Sequence, residues 1–310
     1  MTTPEHSFAW RVMVRLDTKL MSKIHPNPNS PPVVLSVAGS DNSAGAGIQA
    51  DLKTMSALEV YGVTAVTCVV AEIPGQVTAI HPVPPEVVSE QIRILFRGFP
   101  IAAIKTGMLH SAVTLNAVVD ALLAGRAAAG RAIPLVVDPV MVATSGDSLM
   151  EKTALDGYRS RLFPLADLVT PNLDEVAVLL GSKVSERCQM REAGRSLVRE
   201  FGTAFLMKGG HLGGEVAADL LVERDGSETW FEAPFVRGVS THGTGCTYSA
   251  AIAARLGGGR SLRTAVAEAK EYLSGAIAGF ARWQHGECAV DALSHFAPVR
   301  SVEASLEKGA

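Results

Sequence analysis

Between residues 33 and 210 one local plan recurs: a short apolar run, a loop rich in glycine or polar residues, and a segment with helical spacing. Residues 33–37 end in AGSDNSAGAG and lead to 48–58, whereas 102–105 end in TGML and lead to 111–123. Residues 63–70, 135–137, 167–169 and 204–207 are runs of the same kind, the last three ending in DPVMVATSGD, TPNLDEV and KGGHLGG. Apolar runs without strict alternation are strands buried on both faces, and helical segments between them make the connections parallel crossovers. The expected fold class is therefore α/β, with a mostly parallel central sheet wrapped in helices. Residues 217–222 and 228–232 read as an edge pair turning at Asp225 and Gly226, and 262–283 read as helical. The prolines of PGQVTAIHPVPPEVV mark a loop or an edge strand leading into a helix over 85–96.

Hydrophobic residues make up 47% of the 310 and aromatics only 5%, so the core is built from Ala, Val, Leu and Ile. A net charge of −3, with no polybasic run, argues against nucleic acid or an anionic membrane as partner and for a small molecule. Cys68, Cys188, Cys246 and Cys288 are too widely spaced for a structural zinc site or a disulfide framework, which fits a reducing cytoplasm. No repeat interrupts the chain, so one domain is expected over 33–300. Residues 1–32 read as an appendage, either a short docked segment or the product of an upstream start codon ahead of Met21, and 301–310 as a tail.

The stretch THGTGCTYSAAIAARL, residues 241–256, joins a glycine turn to a small-residue helix with Cys246 at the joint. Gly243 and Gly245 let backbone N–H groups converge, and the first turn of a helix adds unpaired N–H groups and a positive dipole end, so the natural occupant is a phosphate. A buried, capped helix has the same pattern, and further motifs decide between the two. Lys208 stands past a strand beside glycines, where it can reach a phosphate. Asn172 and Glu175, three apart at a helix start, can face one way, and equally fit simple capping. Gly45, Gly47 and Ala50 match the GxGxxA dinucleotide signature, with Glu72 as a ribose carboxylate. Against that match, SDNSA separates the glycines from their strand. In an open parallel sheet the ligand crevice lies at the carboxyl ends of the strands, where Gly39, Glu72, Met108 and Val140 can converge.

With these pieces in place the chain resembles the hydroxymethylpyrimidine and phosphomethylpyrimidine kinases, within the ribokinase-like superfamily. AGSDNSAGAGIQADLKTMSALEVYG, KTGML, DPVMVATSGD, TPNLDEV, KGGH and THGTGCTYSAA occur in the family's order over residues 33–278. The resemblance implies a three-layer αβα sandwich, ATP and Mg²⁺ as cofactors, a homodimer, and two successive phosphorylations of a hydroxymethylpyrimidine. It sets the pyrimidine against Gly39, Ala46, Asp51, Glu72, Met108 and Val140, with Asp51 hydrogen-bonded to the heterocycle. It also implies that Lys208 meets the transferring phosphate, that Gly243, Gly245 and Cys246 form the anion hole, and that Cys246 takes the proton. Asn172, Thr241 and Thr244 would hold the nucleotide, with Glu175 and Asp138 holding magnesium through water.

Two departures stand out. The family's AQN is Ala71, Glu72 and Ile73 here, and a loop position commonly lysine is Thr144. Pyridoxal kinases of similar sequence also lack AQN, so a pyridoxal kinase is the alternative activity. A non-catalytic nucleotide- or pyrimidine-binding sensor is the third. A thiol at a helix N-terminus among glycine N–H groups is expected to have a depressed pKa.

Overall fold

The computed structural model describes residues 29–141, 154–210, 212, 214–240, 242–285 and 288–296. Thr144, most of the N-terminal appendage and the C-terminal tail lie outside the described residues. Nine strands form the main sheet: β1 (Val33–Asp41), β2 (Tyr61–Ile73), β3 (Gln76–Pro82), β4 (Ile101–Thr106), β5 (Leu135–Val137), β6 (Leu168–Val169), β7 (Ala204–Gly209), β8 (Val216–Val222) and β9 (Glu228–Pro234). Their order is β3-β2-β1-β4-β5-β6-β7-β8-β9. The stretch from β2 to β7 is parallel throughout, while β3 at one edge and the β8–β9 pair at the other run antiparallel. The chain leaves β1 first toward β2 and later returns on its other side to β4, which makes the carboxyl end of β1 a topological switch point.

Alternation along the strands builds two cores. Val33, Leu35 and Val37 of β1 and Ile104 of β4 join one cluster with α2 (Pro85–Gly98), α3 (Ala112–Ala129), α5 (Leu173–Leu180) and α6 (Arg187–Phe201). Val34 and Ala103 point the other way, onto α1 (Gly47–Ala57), α7 (Thr244–Gly257) and α8 (Leu262–Ala278). The result is the expected three-layer sandwich. A Cβ on Gly257 would fall 2.9 Å from Val34 and 3.4 Å from Ala103, so α7 lies close against β1 and β4. That proximity is what its run of alanines permits.

Several sequence readings move. α3 runs on through the helix-favouring AGRAAA to Gly130, whose left-handed φ of 63° ends it. By length and hydropathy α3 could cross a membrane. Here it buries Leu115, Val118 and Leu122 in the domain core. Residues 262–283 are not one helix: α8 stops at Ala278, and β10 (Ala281–His285) pairs with β11 (Cys288–Ala292) in a hairpin. α4 (Ala154–Gly157), with the turns that follow it, and α6 carry no motif and were not anticipated. α6 nevertheless has helical spacing in Met190, Ala193, Leu197, Val198 and Phe201, all buried.

Candidate active site

The carboxyl ends of the parallel strands open onto one cavity of about 620 Å³. One end is a glycine turn. Gly243 has φ of 80°, and a Cβ there would lie 1.8 Å from the Gly45 carbonyl, so two loops separated by most of the chain meet backbone to backbone. Only glycine allows both the φ and the contact. Gly47 N–H points at the Cys246 sulfur, which ties the β1 loop to the first turn of α7. A Cβ on Gly245 would lie 3.1 Å from Lys208 Nζ and 3.4 Å from Asp138 Oδ2, so the helix N-terminus, the ammonium and the carboxylate converge on one point. Thr244 lines the same wall.

Lys208 Nζ donates to Asp138 Oδ1 at 2.9 Å, and Ser249 Oγ donates to Asp138 Oδ2 at 3.3 Å. Burial alone would lower the Lys208 pKa, but Asp138 and Glu175 outweigh it and keep the ammonium charged. Asn172 and Glu175 form a reciprocal capping box at the start of α5: Glu175 N–H donates to Asn172 Oδ1, and Asn172 N–H to Glu175 Oε2, each at 2.8 Å. The capping reading is thus realised. Glu175 Oε1 also accepts the Met141 N–H at 3.1 Å, pinning a turn in which Val140 holds φ of 45°, costly for a β-branched residue. Burial, with Asp138 adding to it and Lys208 opposing, raises the Glu175 carboxyl to about 6.

The other end of the cavity is an apolar slot. Cys68, Val70 and Met108 form a small cluster with Val77, Ile80 and Val140 against it, and Gly39 and Ala46 complete the floor. A Cβ on Gly39 would lie 2.8 Å from Cys68 Sγ. At the rim stand Glu72, Asp41 and His242. Asp41 takes Ser43 N–H at 2.6 Å on one oxygen, and Ala46 N–H at 2.7 Å and His242 Nε2 at 3.1 Å on the other. Burial would raise this carboxyl, but those bonds hold it at about 2. The sequence reading missed this pair, although SDNSA and THGTGC both belong to the motifs that located the site.

Two expectations are corrected and one falls outside the described residues. Asp51 does not reach the cavity. It sits fully buried on the sheet-facing side of α1, where both oxygens accept Lys105 Nζ, at 3.0 and 2.8 Å, and one also accepts Ser36 Oγ. Fully buried and already accepting these three hydrogen bonds, the carboxylate presents no face to the cavity. Cys246 does line the cavity, but its thiol is raised to about 11 rather than depressed. Burial dominates, and Asp51 and Asp138 add to it against Lys105. Thr241 lies outside the described residues.

Comparison with known proteins places these residues in context. The family model described as phosphomethylpyrimidine kinase matches residues 41–291. A hydroxymethylpyrimidine/phosphomethylpyrimidine kinase of Streptomyces coelicolor is 46% identical over 256 residues, 82% of this chain and 91% of that protein. Among solved structures, the ADP complex of Bacillus subtilis pyridoxal kinase superposes with a TM-score of 0.77 at 30% identity, covering 86% of this chain and 98% of that one. The phosphomethylpyrimidine kinase of Clostridium difficile gives 0.69 at 35% identity, covering 79% and 99%.

Proposed function

The chain belongs to the phosphomethylpyrimidine kinase family, and from that premise we propose that its cavity moves the γ-phosphoryl group of ATP onto 4-amino-5-hydroxymethyl-2-methylpyrimidine, then onto the monophosphate formed. The chain is a kinase of thiamine biosynthesis, since it is also 44% identical over 244 residues to a thiamine biosynthesis bifunctional protein of Geobacter sulfurreducens. The observation carrying the substrate reading is the continuity of one cavity from an apolar slot to the point where the Lys208 ammonium and the first turn of α7 meet.

Phosphoryl transfer asks a protein for position and charge more than for covalent chemistry. The N–H groups of the Gly243–Cys246 turn face the equatorial oxygens of the group in flight, and Lys208 neutralises charge as it shifts from donor to acceptor. Lys208 arrives already ion-paired with Asp138, so an incoming phosphate competes with that carboxylate for the ammonium. Cys246, a neutral thiol at pH 7, is suited to orienting the acceptor hydroxyl and not to removing its proton in advance. A late proton transfer suits the loose transition state usual for this chemistry, in which the nucleophile carries little charge until the bond forms. Ser249 and Asp138 stand beside the same point.

The donors around Asp138 and Glu175 fit a magnesium ion held through water. Each carboxylate oxygen already accepts a hydrogen bond, which leaves it fewer lone pairs for a metal and favours contact through water over direct ligation. Such an ion would neutralise phosphate charge. A homodimer in the cytoplasm, with residues 1–32 as an addition to the 33–300 kinase domain, completes the reading, and sedimentation velocity tests the first of these.

One observation favours pyridoxal as a second acceptor: the ADP complex of Bacillus subtilis pyridoxal kinase superposes on this chain with a TM-score of 0.77 at 30% identity. An ATPase-coupled assay with the hydroxymethylpyrimidine, its monophosphate and pyridoxal separates the two. Turnover of pyridoxal alone would refute the pyrimidine reading, and turnover of none would leave a binding protein on a kinase fold.

A further inference from the structure

Glu72 stands at the end of β2, where the pairing with β3 shifts register between Ala71 and Glu72. Its N–H donates to Asn42 Oδ1 at 2.7 Å, so the backbone is fixed. The carboxylate is not: among the described residues it has no hydrogen-bond or ion-pair partner, although it lines the apolar slot. The ligating atoms of Glu72, Asp41 and His242 lie within 4.8 Å of one another. Asp41 is saturated by its own donors and stays an anion, and the His242 ring nitrogen is spent on it.

Glu72 is therefore a half-buried carboxylate beside a permanent negative charge, with no donor of its own. Burial, with Asp41 adding and His242 opposing, raises its pKa. Cys68 also feels its charge, and that thiol is raised, chiefly by burial. Such a carboxylate is satisfied by a ligand edge that brings two donors and a positive charge. A neutral ring nitrogen would set lone pair against lone pair.

We propose that Glu72 selects a heterocycle bearing an amino group beside a basic ring nitrogen, and binds it as the conjugate acid through two parallel N–H···O bonds. The inference rests on the pyrimidine reading above and specifies its edge. The shared proton comes from solvent, or from Glu72 when that carboxyl is neutral. It ends on the ring nitrogen, and no other bond changes. A ring edge carrying a hydroxyl and a formyl group offers at most one donor, so pyridoxal gains at most a single hydrogen bond from Glu72 in place of the charged pair.

The experiment is calorimetric titration of the full chain with the aminopyrimidine alcohol, in buffers of different ionisation enthalpy, for the wild type and Glu72→Gln. Above the pKa values of free Glu72 and the free ring, a complex holding one shared proton takes it up on binding. The wild type should gain up to about one proton per ligand near pH 7, and its affinity should fall by up to about tenfold per pH unit above that. Glu72→Gln, whose amide both accepts and donates, should take up almost none and bind with little pH dependence. An analogue lacking the amino group, titrated into the wild type, should also bind without uptake. This arm needs no variant to fold.

Equal uptake by both proteins, or binding by the wild type with none, overturns the inference and leaves the kinase reading standing. A wild type that phosphorylates pyridoxal and neither binds nor phosphorylates the aminopyrimidine overturns both.

Discussion

Replacing Gly243 by alanine should disable the enzyme without unfolding it, and the size of the effect follows from the backbone. The φ of 80° costs an alanine about 1–2 kcal/mol. The larger problem is contact, because the new Cβ would stand 1.8 Å from the Gly45 carbonyl, and even a 3.0 Å separation requires the two loops to part by more than about 1 Å. Both loops are site walls: one bears the N–H groups of the anion hole, and the other bears Ala46 and Gly47. A misplacement of about 1 Å at a reacting centre can cost about a hundredfold. Gly243→Ala should therefore lose at least that much in kcat, with ATP binding weakened, while melting remains cooperative. Gly245→Ala is the internal control. Its φ is ordinary and its Cβ would meet the tip of the Lys208 side chain at 3.1 Å and Asp138 Oδ2 at 3.4 Å, both at the phosphate site, so its stability should stay near wild type and its defect should be confined to that site. Steady-state kinetics with calorimetric melting on both variants reads the contrast. A Gly243→Ala enzyme within about threefold of wild-type kcat would refute the claim that the meeting of these loops sets the anion hole.

Lys208→Met should lower kcat at least about a hundredfold while changing the KM of the alcohol little, because the ammonium acts on charge in transit; the opposite split would make it a ground-state binding residue. Cys246, raised to about 11, should be only about one part in ten thousand thiolate at pH 7. Mass-spectrometric alkylation mapping should find exposed Cys188 modified first and Cys246 slow, speeding up about tenfold per pH unit; fast modification of Cys246 at pH 7 would contradict its environment. Asp41, held at about 2 against an ordinary 3.8, contributes about 2 kcal/mol that is fully present above pH 4 and lost as pH falls through 2. Acid unfolding of Asp41→Asn should lack that dependence, and an unchanged acid limb would rule the contribution out.

The sheet was legible because each parallel strand is a short apolar run closed by a loop, and that pattern is local. Residues 33–37 and 102–105 needed no knowledge of their partners to be recognised, and the strands found there extend the runs by only a few residues. The glycine turn was legible for the same reason. What failed was phase and sum. Asp51 sits in a motif that holds site residues, but the turn of α1 points it at the sheet, where Lys105, 54 residues away, takes both of its oxygens. No local pattern announces that pair. The Cys246 reading counted the influences visible nearby, the helix end and the glycine N–H groups, and both do lower a thiol pKa. It omitted burial and the carboxylates of Asp51 and Asp138, which come from β-strand and helix neighbours distant in sequence and reverse the sign.

The same reasoning explains why Glu72 was recognisable as a departure but not as a titrating group. Its neighbour in sequence, Ala71, says nothing about charge, while Asp41 and His242 reach it from 31 residues before and 170 after. The motifs fix where the site is, because glycine and helix geometry act over a few residues. The protonation states within it depend on a field summed across the fold, so substrate choice among closely related kinases can turn on a single carboxylate whose effect no motif carries.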